Sequence, residues 1–289
     1  MSNAEYEDRI NDLLEKWQDE VYDYTLESHV MPAARIYAYA SLQDLADVYD
    51  VSTIFPMFSE KMELADHYAN GLFSRLSGAC TSISNALKAI QARMDCHAAV
   101  AVARRAHEAL WQVLWLFNPT VDADTRVKRL VSLTKSEIKE ALRFWGSGIN
   151  PGIATQLQGF RDNMQEIANL SEYEYRTKSG WTEYMEYFES SNSGSVNDAA
   201  RSWSIMSNMT HPNLVFDWII QIQDDPQDEM DRLQLIPTVD AIGMVGNLCT
   251  EIMQKAQMPG EHVVEVNRTL ERCWTTAEAL RGLRRSRVK

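Results

Sequence analysis

Apolar residues recur along most of this chain at steps of three and four, the spacing that gathers one face of a helix. Near the start, Ile10, Leu13, Leu14, Trp17, Val21 and Tyr24 keep that rhythm, which predicts an amphipathic helix over residues 5–28 with an acidic outer face. Pro32 suits the first turn of a second helix, and the pattern carries it to Tyr49 with Ile36, Tyr39, Leu42, Leu45 and Ala46 inward. A third helix is expected from Pro56 to about Ala92, with Gly71 and Gly78 as points of bending or close approach.

Residues 93–119 depart from this two-faced pattern. Ala and Leu dominate the run RMDCHAAVAVARRAHEALWQVLWLFNP, and neither Gly nor Pro interrupts it before Pro119. That composition favours helix. A helix that is apolar nearly all round is a buried one. Arg104, Glu108, Trp111 and Trp115 fall on one face of it.

Beyond Pro119, Asp122 or Asp124 is placed to cap a helix reaching about Trp145, with a break expected between Thr134 and Ile138. Residues 146–152 are dense in turn chemistry, and a helix over about 153–170 follows. Residues 171–195 crowd aromatic side chains among Glu and Ser. Asn197 or Asp198 then opens a helix to Thr210, Pro212 ends it or starts another to about Gln223, and Asp224-Asp225-Pro226 marks a turn. An apolar helix over 236–255 has Gly243 and Gly246 as close-contact points; after the Pro259-Gly260 turn, a last helix over 261–283 leads into a basic tail. No sustained alternation of apolar and polar residues predicts a strand. The reading is all-α: an irregular bundle of about ten helices around a central apolar helix. Residues 5–170 form an N-terminal bundle, 171–195 an aromatic-rich loop, and 196–289 C-terminal helices on the same core.

Charge narrows the partners. The formal net charge is −13, so the surface as a whole repels phosphate backbones. RNA fits only at a local basic patch such as Arg126, Lys128 and Arg129. No apolar run is long enough to span a membrane, and the start lacks a leader pattern, so the cytoplasm is the expected compartment and no membrane partner is expected. Cys80, Cys96, Cys249 and Cys273 are scattered and read as reduced and mostly buried. No metal-ligand spacing, Walker loop or dinucleotide fingerprint occurs, so neither a metal nor a cofactor is expected. Ser-Asn-Ala after Met1 reads as the scar of a cleaved tag.

Three stretches carry candidate chemistry. Charges on a buried helix need partners. Arg104 or Arg105 with Glu108 therefore forms either an internal pair that fixes helix register or part of a working polar pocket. Ser207 and His211 lie four apart on one helix face, with His211 at the helix end where the dipole favours a cation. Asp224-Asp225-Pro-Gln-Asp228 has the letters of the magnesium motif of terpene synthases, which implies a magnesium-dependent enzyme. Here Pro226 interrupts the helix that motif needs, and a solvated acidic turn is the better reading.

Taken together, Arg104, Glu108, Trp115-Leu116-Phe117-Asn118-Pro119, Arg126, Arg129 and Ser207 to His211 resemble a loose group of uncharacterised all-helical bacterial proteins. The pattern distantly resembles the HEPN superfamily, whose active members are metal-independent ribonucleases using an Arg and a His of one helix. In this chain nine residues separate Arg201 from His211. The resemblance implies a pocket of Arg104, Arg105, Glu108, Arg126, Ser207 and His211. His211 would act as the acid or base, an Arg would steady the phosphate, and Glu108 would orient that Arg. The other function class is association with a second copy or another protein, for which the Tyr and Trp residues of 173–188 are a natural interface.

Overall fold

The computed structural model describes residues 3–45, 48–49, 63–92, 96–145, 148, 150–168, 198–210, 214–223 and 226–285. Every long regular element among them is a helix, and no strand occurs among them. The aromatic-rich residues 171–195, together with His211, Asp224 and Asp225, lie outside the described residues.

Residues 3–42 form one continuous run of helix rather than two separate helices. Helix α1 (Asn3–Lys16) runs into a π-helical segment (Trp17–Val30), which runs into α2 (Met31–Leu42). The π segment closes its turns one residue later than an α-helix does. The Thr25 hydroxyl donates to Glu20 O, five residues back, at 2.6 Å. A forecast made at the α-helical period drifts off such a segment. Tyr24, expected inside, is half-exposed. On α2, Ile36 and Tyr39 also face outward, while Ala33, Ala34, Tyr37 and Ala38 are buried. This helix meets its neighbours through Ala33, Ala34 and Ala38 together with Tyr37 and Leu42, and it leaves Ile36 and Tyr39 outside.

Helix α3 (Leu64–Gln91) follows an extended Glu63 and begins eight residues after the expected Pro56. Gly71 is a genuine close approach, since a Cβ there would stand 3.2 Å from Leu130 Cδ1, whereas nothing lies within 4 Å of one at Gly78. Helix α4 (Cys96–Phe117) buries Ala99, Val100, Ala103, Ala106, Leu110, Val113 and residues 114–117. It packs against α3, and also against α5 (Ala123–Trp145), α7 (Asp198–Thr210) and α9 (Pro226–Lys255). Asp122 is the residue that caps α5: its carboxylate accepts the Thr125 N–H at 2.7 Å, and that bond holds its pKa below the usual carboxylate range. The expected break in α5 is absent. The Thr134 hydroxyl donates to Leu130 O at 3.0 Å, which keeps this capping residue inside the helix.

Asn150 accepts the Gly152 N–H at 2.8 Å and opens α6 (Pro151–Ala168). Later in the chain come the short α8 (Leu214–Gln221) and α10 (Gly260–Arg285). Helix α9 starts ten residues before the forecast position and contains Pro237. The tertiary contacts around it outweigh the hydrogen bond that Pro237 cannot donate. Gln257, at φ 54°, ends α9 in a left-handed cap: Met258 N–H reaches Met253 O and Gln257 N–H reaches Gln254 O, both at 3.0 Å. Helix α10 then returns along α9. A Cβ at Gly243 would meet Trp274 Nε1 at 3.2 Å, and one at Gly246 would meet Leu270 Cβ at 3.6 Å.

Two apolar clusters result. The larger joins α1 to α6 with α9 and α10. The smaller is built from Val100, Ile205, Met206, Met209, Ile220, Leu233 and Ile236, and it fastens α7 and α8 to α4 and α9.

Candidate functional site

The polar residues of α4 fall into three groups along its length. At its N-terminal half, α7 lies alongside. His97 Nδ1 contacts Met209 O at 2.7 Å, and Arg104 Nη1 donates to Thr210 Oγ1 at 2.8 Å. Arg104 Nε donates to Glu108 Oε1 at 3.0 Å, one helical turn on. The side chains of this pair are 24% and 44% exposed, so the charges remain partly solvated. Ser207 is half-buried on the last turns of α7. Arg105, one residue round from Arg104, is exposed.

The middle of α4 carries His107, which is buried and whose Nε2 hydrogen-bonds Pro237 O at 2.8 Å. Burial drives its pKa down to about 4, against a smaller upward pull from that bond, so near pH 7 the ring is neutral and Nε2 carries the donated proton. This contact ties α4 to α9 at the proline. Nearby, the Ser202 hydroxyl donates to the buried Asp240 carboxylate, joining α7 to α9.

At the C-terminal end of α4, Leu114 O keeps an ordinary bond to the residue one turn on, and the last three carbonyls are satisfied from other helices. Leu114 O accepts Asn118 N–H, Trp115 O accepts Arg129 Nη1 at 2.6 Å, Leu116 O accepts the Tyr68 hydroxyl, and Phe117 O accepts the Tyr37 hydroxyl at 3.1 Å. The Arg129 guanidinium stands 5.1 Å from the Trp115 ring centre, and that of Arg126 stands 5.5 Å from the Tyr37 ring centre. Both arginines are buried. Two cations at a helix C-terminus complement its dipole. Burial raises the Tyr37 and Tyr68 pKa values, so both hydroxyls stay protonated as donors.

The six residues expected to converge therefore divide. Arg104 and Glu108 pair on α4, Thr210 brings the end of α7 to the Arg104 guanidinium, and Ser207 is half-buried three residues earlier on α7. Arg126 belongs to the other end of α4: Arg104 and Trp115 are eleven residues apart, roughly 16 Å along a helix. Arg105 is on the outside. His211, next after Thr210, lies outside the described residues.

Two structural residues carry no signal in the local sequence. His107 follows the buried spacing of α4, but its acceptor is far away in the chain. Arg75 on α3 donates to Gln112 on α4 at 3.1 Å and to Glu137 on α5 at 2.6 Å. The basic patch anticipated at Arg126, Lys128 and Arg129 is not a surface patch, because its two arginines are buried and Lys128 pairs with Asp124.

The four cysteines are free, and all but the half-buried Cys96 are buried. Burial pushes the thiol of Cys249 up to about 12 and that of Cys273 to about 11. Among the described residues no group of three His, Cys, Asp or Glu side chains is arranged to hold a metal ion, and no helix is long and apolar enough to cross a membrane. Comparison of the chain with family models, with curated proteins and with solved structures finds no match.

Proposed function

We propose that this chain is an interaction module that works by binding another protein. The observation that carries this reading is the surface of α8. Trp218 is 62% exposed, Ile219 45% and Ile222 58%, while Ile220 is buried in the smaller core cluster and anchors the helix. Large apolar side chains grouped on one exposed face mark an interaction surface. Covering each of them fully is worth about 1.5–3 kcal/mol, reduced here in proportion to the area already buried. The buried polar side chains support the same reading, since Arg129 and the neutral His107 serve to fasten helices together. The chain is expected to show at least one association that the Trp218→Ser/Ile222→Ser variant loses. Sedimentation velocity and affinity capture from a source extract, run on both proteins, measure this. Identical behaviour of the two in both measurements overturns the reading.

A second reading has one observation in its favour. The bond from Arg104 to Thr210 brings a guanidinium, already oriented by Glu108, to the residue next to His211. On this reading the chain is a HEPN-like, metal-independent ribonuclease. His211 acts as general base on the ribose 2′-hydroxyl or acid on the leaving oxygen, and Arg104 stabilises charge on the phosphate, the Arg coming from α4 rather than from the helix that leads to His211. Under this reading Arg104→Ala and His211→Ala each lower RNA cleavage by about 100-fold or more. Cleavage unchanged in both variants removes it.

A further inference from the structure

We infer that the seam between the π-helical segment and α10 is a pH-responsive latch, closed when a proton on His29 pairs that ring with Glu265. His29 is 7% exposed, and its Nε2 has no hydrogen-bond partner among the described residues. The opposite charge that approaches it is Glu265 Oε2, reaching from α10 to 4.0 Å. The rings of Tyr24 and His262 each stand edge-on to His29, with centres 5.3 Å away. The Tyr24 hydroxyl donates to the other oxygen of Glu265 at 3.4 Å. Two turns further along α10, Arg272 Nη2 donates to Glu20 Oε2 at 2.8 Å. The first turns of α10 are therefore held to the segment through polar groups, and the charge on His29 decides how firmly.

With a neutral His29 the buried nitrogen is unsatisfied, an arrangement that costs folding free energy. A proton there turns the 4.0 Å approach into a charge-assisted hydrogen bond once the carboxylate closes in, and the Glu265 side chain, 50% exposed, has the freedom to do so. Imidazole is the side chain that gains its charge in mild acid. His262 Nδ1 is also without a hydrogen-bond partner among the described residues, but two charged rings at this separation repel, so the seam takes one proton in preference to two. Among the described residues no charged side chain of α1, α2, α3 or α9, the other elements packed on the segment, pairs with either ring. Asp23 and Glu27 of the segment and Glu261 and Arg268 of α10 are exposed. The sign is the reverse of that at His107, where burial with only a carbonyl partner keeps the ring neutral. The contribution of the pair is present in mild acid and lost as the pH rises.

Amide hydrogen exchange over residues 261–268, corrected for the intrinsic rate, compares wild type with Glu265→Gln at pH 8 and pH 6. Gln keeps an acceptor for the Tyr24 hydroxyl and removes only the charge. The ratio of wild-type to variant protection is expected to rise about threefold or more from pH 8 to pH 6. An unchanged ratio overturns the inference. Urea unfolding of wild type, His29→Gln, Glu265→Gln and the double variant is the second measurement. The coupling between the two positions is expected to be absent at pH 8 and to reach about threefold in the folding equilibrium constant at pH 6. Other titrating groups act alike in all four proteins and cancel in the cycle. Equal coupling at both pH values overturns the inference. Glu265 is exposed, so the exchange measurement on Glu265→Gln decides the matter even where His29→Gln does not fold.

Discussion

Lowering the pH from 7 to 4 is expected to remove roughly 6 kcal/mol of folding stability through His107 and His67. Burial is the main cause in both: it holds each imidazole at about 4 in the folded chain, with the Arg75 cation adding to the effect at His67. In the unfolded chain an imidazole titrates near 6.5. Below that value the unfolded chain takes up protons that the folded chain refuses. The stability these residues contribute is therefore complete above about pH 6.5, falls as the pH drops, and is lost by about pH 4. Each depression corresponds to roughly 3 kcal/mol. Urea unfolding at intervals from pH 7 to 4 measures the slope. Comparison with His107→Gln and His67→Gln separates the imidazoles from carboxylates that titrate toward the acid end. Each variant is expected to lose about half of the imidazole contribution. A slope identical in wild type and both variants would show that these rings are not buried and neutral.

Arg129→Met is expected to destabilise the protein by about 2–5 kcal/mol, while Arg126→Met changes stability by less than about 1 kcal/mol. Removing the Arg129 guanidinium leaves Trp115 O without its donor, a cost of about 1–3 kcal/mol for a buried polar group. The stacking of that cation on the Trp115 ring adds about 1–2 kcal/mol. Arg126 differs. Its guanidinium lies over Tyr37, and among the described residues it makes no hydrogen bond to match the one from Arg129 Nη1 to Trp115 O. Exchanging such a buried charge for an apolar side chain of similar length is often neutral. Thermal and urea unfolding of the two variants measure the contrast. Equal losses, or a larger loss for Arg126→Met, would show that capping of α4 is not what Arg129 contributes.

Local pattern determined the fold class and most helix positions. The three-and-four spacing, the absence of alternation, Asp122 before its helix and the turn at Pro259-Gly260 are short-range signals, and short-range physics decides them. The apolar circumference of residues 93–119 likewise shows that this helix is buried. Tertiary structure decided what the pattern left open. The π winding of Trp17–Val30 turned Tyr24 outward, and packing through Ala33, Ala34, Tyr37 and Ala38 set a buried face of α2 that leaves Ile36 and Tyr39 outside. Pro237 stays within α9 because of the helices around it. The candidate site divided for the same reason. Sequence spacing brought Arg104 and Glu108 together, since one helical turn is a local distance. Whether Arg126 joined them depended on which end of α4 packs beside α5, and that is set by burial of side chains distant in the chain. Arg129 at the α4 carbonyls and His107 at Pro237 are of the same kind: each residue is plain in the sequence, but its partner becomes its partner only when the helices pack.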